Sequence, residues 1–520
     1  MQAGLDTGTK AGIDETDEPS MTEMDPARSD MPGRLPSSLE LEGRILRNTG
    51  WVALGHGGRQ LASLLTMFVL ARLLDPKDFG LATLAWTVLY FTDQIQETGV
   101  ASALIHRRKD VKRAAASALI YTPLFSLLLY GIVFACAPLI ASFLHASDLT
   151  AVLRVMALVL LFRGLRVVPA AILERELRFR SKITADLAAS FGQICVFLGL
   201  AFAGAGVWSL VVGYVVAAGV EASLYWVLVP WRPSIRDASR RTLLELLRYG
   251  RFVGAANVVN VVTNTIDNVV VGRVLGPASV GLYGMAFRLA EFPNSVIGHI
   301  VGRTMFSVYS WVQHDLALFR HAYVRNLERV ALVSLPISVG LVIAAEPIVS
   351  VLLGDKWLSA VPALRVLAIY TLIKPFGGVS AEALKGIGKP EWNLALGILF
   401  MVLVVPALIV LTRRFGITGA AVSMLIAESV TVLIALAVST RIVGLEPRDL
   451  ARHLAPPALC CALLAFALGA LLIPGHSMAP AASLALLVSV GAVVYVSAVA
   501  LFARGVVGPM LVSLRTGGEP

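Results

Sequence analysis

The chain has 520 residues, of which 57% are hydrophobic and only 15% charged, and its formal net charge is +10. Soluble domains carry about a quarter charged residues, and no single core could enclose so much apolar surface. The composition therefore excludes a soluble globular protein and points to a bilayer. The basic residues lie in short loops between apolar segments, where they orient a membrane protein, so nucleic acid is not an expected partner. Cys136, Cys195, Cys460 and Cys461 sit inside apolar segments without metal-ligand spacing, so neither metal nor cofactor is expected.

In chain order, residues 1–43 come first, with Asp6, Asp14, Glu15, Asp17, Glu18, Glu23, Asp25 and Asp30 and no apolar run. They read as a disordered acidic tail without the pattern of a signal peptide. About fourteen apolar spans follow, each long enough to cross about 30 Å of hydrocarbon as a helix: Trp51–Leu74, Phe79–Ile105, Ala116–Phe143, Leu149–Leu173, Ile183–Ala203, Val207–Val229, Phe252–Leu275, Val280–Gly302, Val330–Leu353, Val361–Ala381, Trp392–Leu411, Ile417–Thr440, Leu454–Ile473 and Ala482–Phe502. Connections at one end are short turns, such as Asp75–Asp78, His145–Asp148, Gly204–Gly206 and Gly276–Ser279. Those at the other end are rich in Arg and Lys, which predicts that both termini are cytoplasmic; only Arg413-Arg414 runs against the rule. Arg236–Arg248 and Ser310–Arg325 have apolar residues at helical spacing and read as helical linkers or interfacial helices.

The chain also repeats itself. Arg72, Leu74, Pro76, Gly80 and Leu81 recur in register as Arg273, Leu275, Pro277, Gly281 and Leu282. Leu153-Arg154-Val155 matches Leu364-Arg365-Val366, and Gly206-Val207 matches Gly416-Ile417. The repeating unit is six spans. An even number makes the copies enter from the same side, related by an axis along the membrane normal. The expected fold is an all-α polytopic membrane protein of about fourteen transmembrane helices: two six-helix lobes (44–230 and 251–441), a linker helix (231–250) and two further helices in 442–520.

Polar residues inside the spans follow the repeat. His56, Arg59, Ser63 and Thr66 share a face of span one, and Asn257, Asn260, Asn264 and Asp267 occupy equivalent places in span seven. Tyr90, Asp93 and Glu97 share a face of span two, as do Arg288, Glu291 and Ser295 of span eight. Polar groups facing lipid cost several kcal/mol each, so these stripes are expected to face one another across a water-filled cavity between the halves. Arg163, Lys374 and Glu428 are further charges inside spans, with Arg163 and Lys374 near equivalent places. The alternative for each charge is a helix-pinning salt bridge; Arg288 and Glu291, three apart, can satisfy each other. Asp186, Glu221 and Glu382 lie toward span ends, where they snorkel or cap. No phosphate-binding G-x-x-x-x-G-K-[ST] loop occurs and no large external loop presents paired carboxylates, so enzymatic chemistry is not expected.

The Arg-x-Leu-x-Pro-x-x-x-Gly-Leu turn resembles the polysaccharide exporters, the Wzx-like flippases of lipid-linked oligosaccharides. Their superfamily also holds multidrug extruders and lipid II flippases. Ile172–Arg180, Leu353-Gly354-Asp355-Lys356-Trp357 and Ala383–Pro390 carry the same likeness, which runs from about Arg44 to Arg504. The resemblance implies a cleft between two lobes lined by spans one, two, seven and eight. It also implies an undecaprenyl-diphosphate-linked glycan as cargo, moved from the cytoplasmic to the periplasmic leaflet of a bacterial inner membrane, with a polymerase and a chain-length regulator as partners. A lipid diphosphate needs a cationic anchor, for which Arg59, Arg288, Arg163 and Lys374 are the candidates, in that order. Asn260 and Asn264 would line the cleft, while Asp93, Glu97, Asp267 and Glu291 would balance charge or bind a coupling cation. A cation-coupled multidrug antiporter of the same superfamily is the alternative.

Overall fold

The computed structural model describes residues 58, 60, 62–96, 100–107, 110–472 and 479–502, and the side chains of all these except 249–262, 294–304, 306–307 and 472. The acidic tail, His56, Arg59 and Glu97 lie outside the described residues, as do the side chains of Asn257, Asn260, Ser295 and His299.

The described residues form helices and no strand. The first lobe contains α1 (Ala62–Leu73), α2 (Pro76–Gln96), α3 (Val100–His106), α4 (Val111–Phe143), α5 (Leu149–Met156), α6 (Leu158–Arg175), α7 (Phe179–Phe202) and α8 (Val207–Leu228). The second contains α9 (Arg240–Leu275), α10 (Pro277–Trp311), α11 (Leu316–Ile343), α12 (Ala345–Leu352), α13 (Val361–Gly386) and α14 (Glu391–Val443); α15 (Pro447–Leu472) and α16 (Pro480–Phe502) follow. Among the described residues nine helical segments are long and apolar enough to cross a membrane. The protein is a multi-pass membrane protein. The polar stripes lower the hydropathy of α2, α9 and α10, which are not among the nine.

Local chemistry explains the boundaries. Pro277 opens α10, where its missing N–H costs nothing, and Gly276 before it takes φ 83°. Asp315 caps α11 by accepting from the amides of Ala317 and Leu318, both at 3.0 Å. Within α14 the helix breaks at Gly416 (φ 62°, ψ −144°), which separates the eleventh and twelfth spans. Its repeat mate Gly206 has nearly the same backbone, φ 55° and ψ −132°, a region open essentially to glycine. The linker helix expected over 231–250 is not a separate helix: only a single turn forms at Ile235–Asp237, α9 runs unbroken from Arg240, and Leu246 is buried against α3, α4 and α6.

The two ends of the molecule differ in packing. Near the short turns one apolar core joins both lobes, holding Leu70, Leu84 and Leu89 of the first together with Tyr283, Met285 and Trp357 of the second. Near the basic loops each lobe has its own: Val100, Leu104, Ile172 and Leu246 in one cluster, Tyr309, Phe319, Leu327 and Val443 in the other.

Candidate functional site

The repeated turn is where the lobes meet. α2 and α10 cross so closely that a Cβ on Gly80 would fall on the carbonyl oxygen of Pro277, and one on Gly281 on that of Pro76. The proline of each copy thus receives the glycine of the other. Around this crossing the motif arginines reach the opposite lobe. Arg72 donates to the carbonyl of Val351, and Arg273 contacts the His145 ring and lies 5.2 Å over Phe143. Lys356 returns to the carbonyl of Arg72 at 3.2 Å and to Asp75 at 3.4 Å, while Trp357 Nε1 donates to the carbonyl of Ala71 at 2.8 Å. His145 and Lys356 stand at matching places, each eight residues before the repeated Leu153 and Leu364. Lys77 braces the first lobe at the same end by a 2.7 Å bond to Asp148, which holds that carboxyl below its ordinary range.

Arg163 and Lys374, the predicted cations inside the spans, each pair with an acid of their own lobe. Arg163 of α6 pairs with Asp93 of α2 and lies 5.2 Å over Trp86. Lys374 of α13 pairs with Glu291 of α10 at 2.8 Å, 5.5 Å over Tyr370. Arg163 and Lys374 each follow the repeated Leu153 and Leu364 by ten residues, so they are true repeat mates. Their acids are not: Asp93 is 13 residues after Gly80 and Glu291 is 10 after Gly281, one helical turn apart. Lys374 also lies within electrostatic range of Glu428 and Asp267. Asp267 is buried and satisfied, accepting from Tyr283 Oη at 3.1 Å and from the Asn268 amide at 2.8 Å.

Arg288 stands apart. It is not satisfied by Glu291, which turns to Lys374 instead; its guanidinium reaches across the lobes to Thr83 Oγ1 at 3.5 Å. The residue is exposed, and among the described residues no carboxylate pairs with it. Asn264 on α9 is exposed as well.

Two acids assigned to span ends do more than cap. Glu221 of α8 binds Arg166 of α6, and Asp186 of α7 accepts from Tyr225 Oη at 2.6 Å, so both tie helices within the first lobe. Arg166, Trp357 and the reciprocal use of His145 and Lys356 were not foreseen as site residues; extending the repeat register past Leu153 and Leu364 would have aligned the last two. Among the described residues no group of His, Cys, Asp and Glu could hold a metal ion.

Residues 69–362 match the family described as polysaccharide biosynthesis protein. The chain is 28% identical over 346 residues to the succinoglycan biosynthesis transport protein ExoT of Rhizobium meliloti, covering 66% of this chain and 70% of the relative. It is 23% identical over 384 residues to the lipopolysaccharide biosynthesis protein WzxC of Escherichia coli, covering 71% and 76%. Among solved structures, lipid II flippase MurJ in an inward closed conformation superposes with a TM-score of 0.70 at 14% identity, over 88% of this chain and 99% of that one. An inward-facing multidrug resistance MATE family transporter of the MOP superfamily gives 0.60 at 18%, over 74% and 94%. At these identities the two structures speak for the fold, two lobes of helices. With a match across more than half its length, this chain belongs to the polysaccharide biosynthesis protein family.

Proposed function

We propose that the protein is a flippase for undecaprenyl-diphosphate-linked oligosaccharide, carrying an O-antigen, capsule or exopolysaccharide repeat unit between the leaflets of a bacterial inner membrane. The observation that carries this reading is Arg288: a guanidinium without a carboxylate partner among the described residues, exposed between two apolar lobes. Such a group suits a diphosphate, whose oxygens accept bidentate, charge-assisted hydrogen bonds. Family membership and the transport roles named for relatives support the glycan as the rest of the cargo.

In this reading both termini are cytoplasmic and the basic-loop end faces the cytoplasm. The joined core closes the periplasmic end, while the separate clusters leave the lobes apart on the side where the cargo is made. Arg288 anchors the diphosphate, the glycan occupies the wet space beside Asn264, and the polyprenyl chain stays in lipid. Arg163 and Lys374, already neutralised by acids, bear on the cargo less than Arg288 does. Rocking one lobe against the other about the Gly80–Gly281 crossing exchanges the open ends. No covalent bond changes, so the protein is not an enzyme; a polymerase and a chain-length regulator take the unit onward.

Deleting the gene should make lipid-linked repeat unit accumulate and abolish surface glycan. A strain with normal glycan and altered drug tolerance would overturn the reading in favour of a cation-coupled multidrug antiporter. The acids around Lys374 (Glu291, Glu428 and Asp267) are the feature that favours this second reading.

A further inference from the structure

A polar cavity of about 580 Å³ opens at the basic-loop end of the first lobe, between the start of α4 and the start of α9. Its charge is arranged for an anion. Arg107, Arg113, Arg236 and Arg241 line it together with Asp110, Asp237 and Glu245, so among the described residues guanidiniums outnumber carboxylates. Glu245 is committed: it accepts from Arg107 at 3.0 Å and lies 3.6 Å from Arg241. Arg113 and Arg236 are exposed and pair with no carboxylate among the described residues.

The start of α9 adds polar donors. Ser239, at its N-cap, is clamped by Ser117, whose hydroxyl accepts from the Ser239 amide at 2.9 Å and donates to the Ser239 carbonyl at 3.2 Å. The Ser239 side chain makes no cap bond, so the amides of the first turn of this 36-residue helix keep their partial positive charge. Thr242 in that turn is 8% exposed, yet it lines the cavity. A threonine hydroxyl at a cavity wall can donate to a ligand's acceptor.

Exposed apolar residues stand next in sequence to the lining residues Arg236 and Glu245. Ile235 is 62% exposed and Leu244 is 57% exposed, one on each side of the arginine-lined segment. Charged cavity and apolar rim together match an amphiphile at a membrane surface. We propose that this pocket binds the phosphodiester of an anionic phospholipid, with the phosphate held by Arg113, Arg236, Thr242 and the first turn of α9, and the acyl chains beside Ile235 and Leu244. The bound lipid fastens the start of α9 to α3 and α4, and α9 runs from there to Gly276 at the repeated turn.

The test uses the full-length protein in zwitterionic nanodiscs, with native mass spectrometry and thermal melting as readouts. Phosphatidylglycerol should be retained and should raise the melting temperature, whereas inorganic phosphate and glycerol 3-phosphate at equal concentration should do neither. Arg113→Gln with Arg236→Gln should lower retention about tenfold, and Thr242→Val should lower it by less, in proteins that melt like wild type without anionic lipid. Equal retention by these variants would overturn the site, and Thr242→Val decides alone if the double variant does not fold. Equal protection by inorganic phosphate would overturn the lipid as occupant. Neither readout requires transport, so failure here leaves the flippase reading standing.

Discussion

Gly80 and Gly281 lie in each other's way: each occupies the space where a side chain would strike the proline carbonyl of the opposite copy, Pro277 or Pro76. The Pro-x-x-x-Gly spacing of the duplicated turn therefore has a physical cause. One turn of helix separates proline from glycine, which lets two copies cross with both backbones in contact.

A methyl group at either glycine should force the lobes apart at this end. Overpacking of this kind costs about 1–3 kcal/mol, so Gly281→Ala should reduce the population of the closed arrangement. Ala71→Cys in a cysteine-free background is a suitable reporter, because Ala71 is buried beneath Trp357. A membrane-impermeant maleimide should label it several-fold faster once Gly281→Ala is added. Unchanged labelling would mean that the crossing does not hold the lobes together.

His145 and Arg273 join the lobes at the same end. Cysteines at both positions, joined by a cleavable bis-thiosulfonate linker, should arrest glycan export, and reductant should restore it. Full cross-linking with export at the wild-type rate would show that the lobes need not separate there.

The Arg163–Asp93 pair is expected to be structural. Removing one partner of a buried ion pair costs about 3–5 kcal/mol. This pair keeps some exposure (19% and 14%), so Arg163→Met should cost about 3 kcal/mol, read as a lower melting temperature. Adding Asp93→Asn should recover part of the loss. A single variant as stable as wild type would count against the pairing.

Arg288→Gln should behave in the opposite way. An exposed side chain with one long hydrogen bond contributes little to folding, within about 0.5 kcal/mol, while a lost phosphate anchor removes transport. Normal protein level and melting temperature with accumulated lipid-linked intermediate is the expected result. Wild-type export at equal protein level would remove Arg288 from the site.

Gly206→Ala and Gly416→Ala should each destabilise the fold by about 1–3 kcal/mol, because both glycines hold a backbone conformation that alanine rarely adopts. Circular dichroism melts of the two purified variants should show similar losses. A loss at one site alone would mean that the repeats differ in their turns despite matching angles.

Much of this protein was legible in the chain. Apolar length located the spans, since helices in a bilayer must satisfy their backbones internally and so need long, continuous apolar segments. Register between the copies paired Gly206 with Gly416, which share nearly the same backbone angles, and Arg163 with Lys374, each of which pairs with an acid of its own lobe. These are local or periodic properties, carried by residue type and spacing.

Partner choice was not legible. Arg288 and Glu291 share a helix face and could satisfy each other, yet Glu291 turns to Lys374 on α13 while Arg288 reaches Thr83 on α2. The long side chains of Arg, Lys and Glu span the gap between helices as readily as one turn of their own, so packing selects among partners that spacing leaves equal. Asp186 and Glu221 went to Tyr225 and Arg166 for the same reason. The sequence alone established the membrane class, the span order and the duplication, because hydropathy and repetition are written along one dimension. The crossing at Gly80 and Gly281, an Arg288 without a carboxylate partner among the described residues and the core shared by both lobes at one end came only from folding, because each depends on how two lobes far apart in the chain are oriented in space.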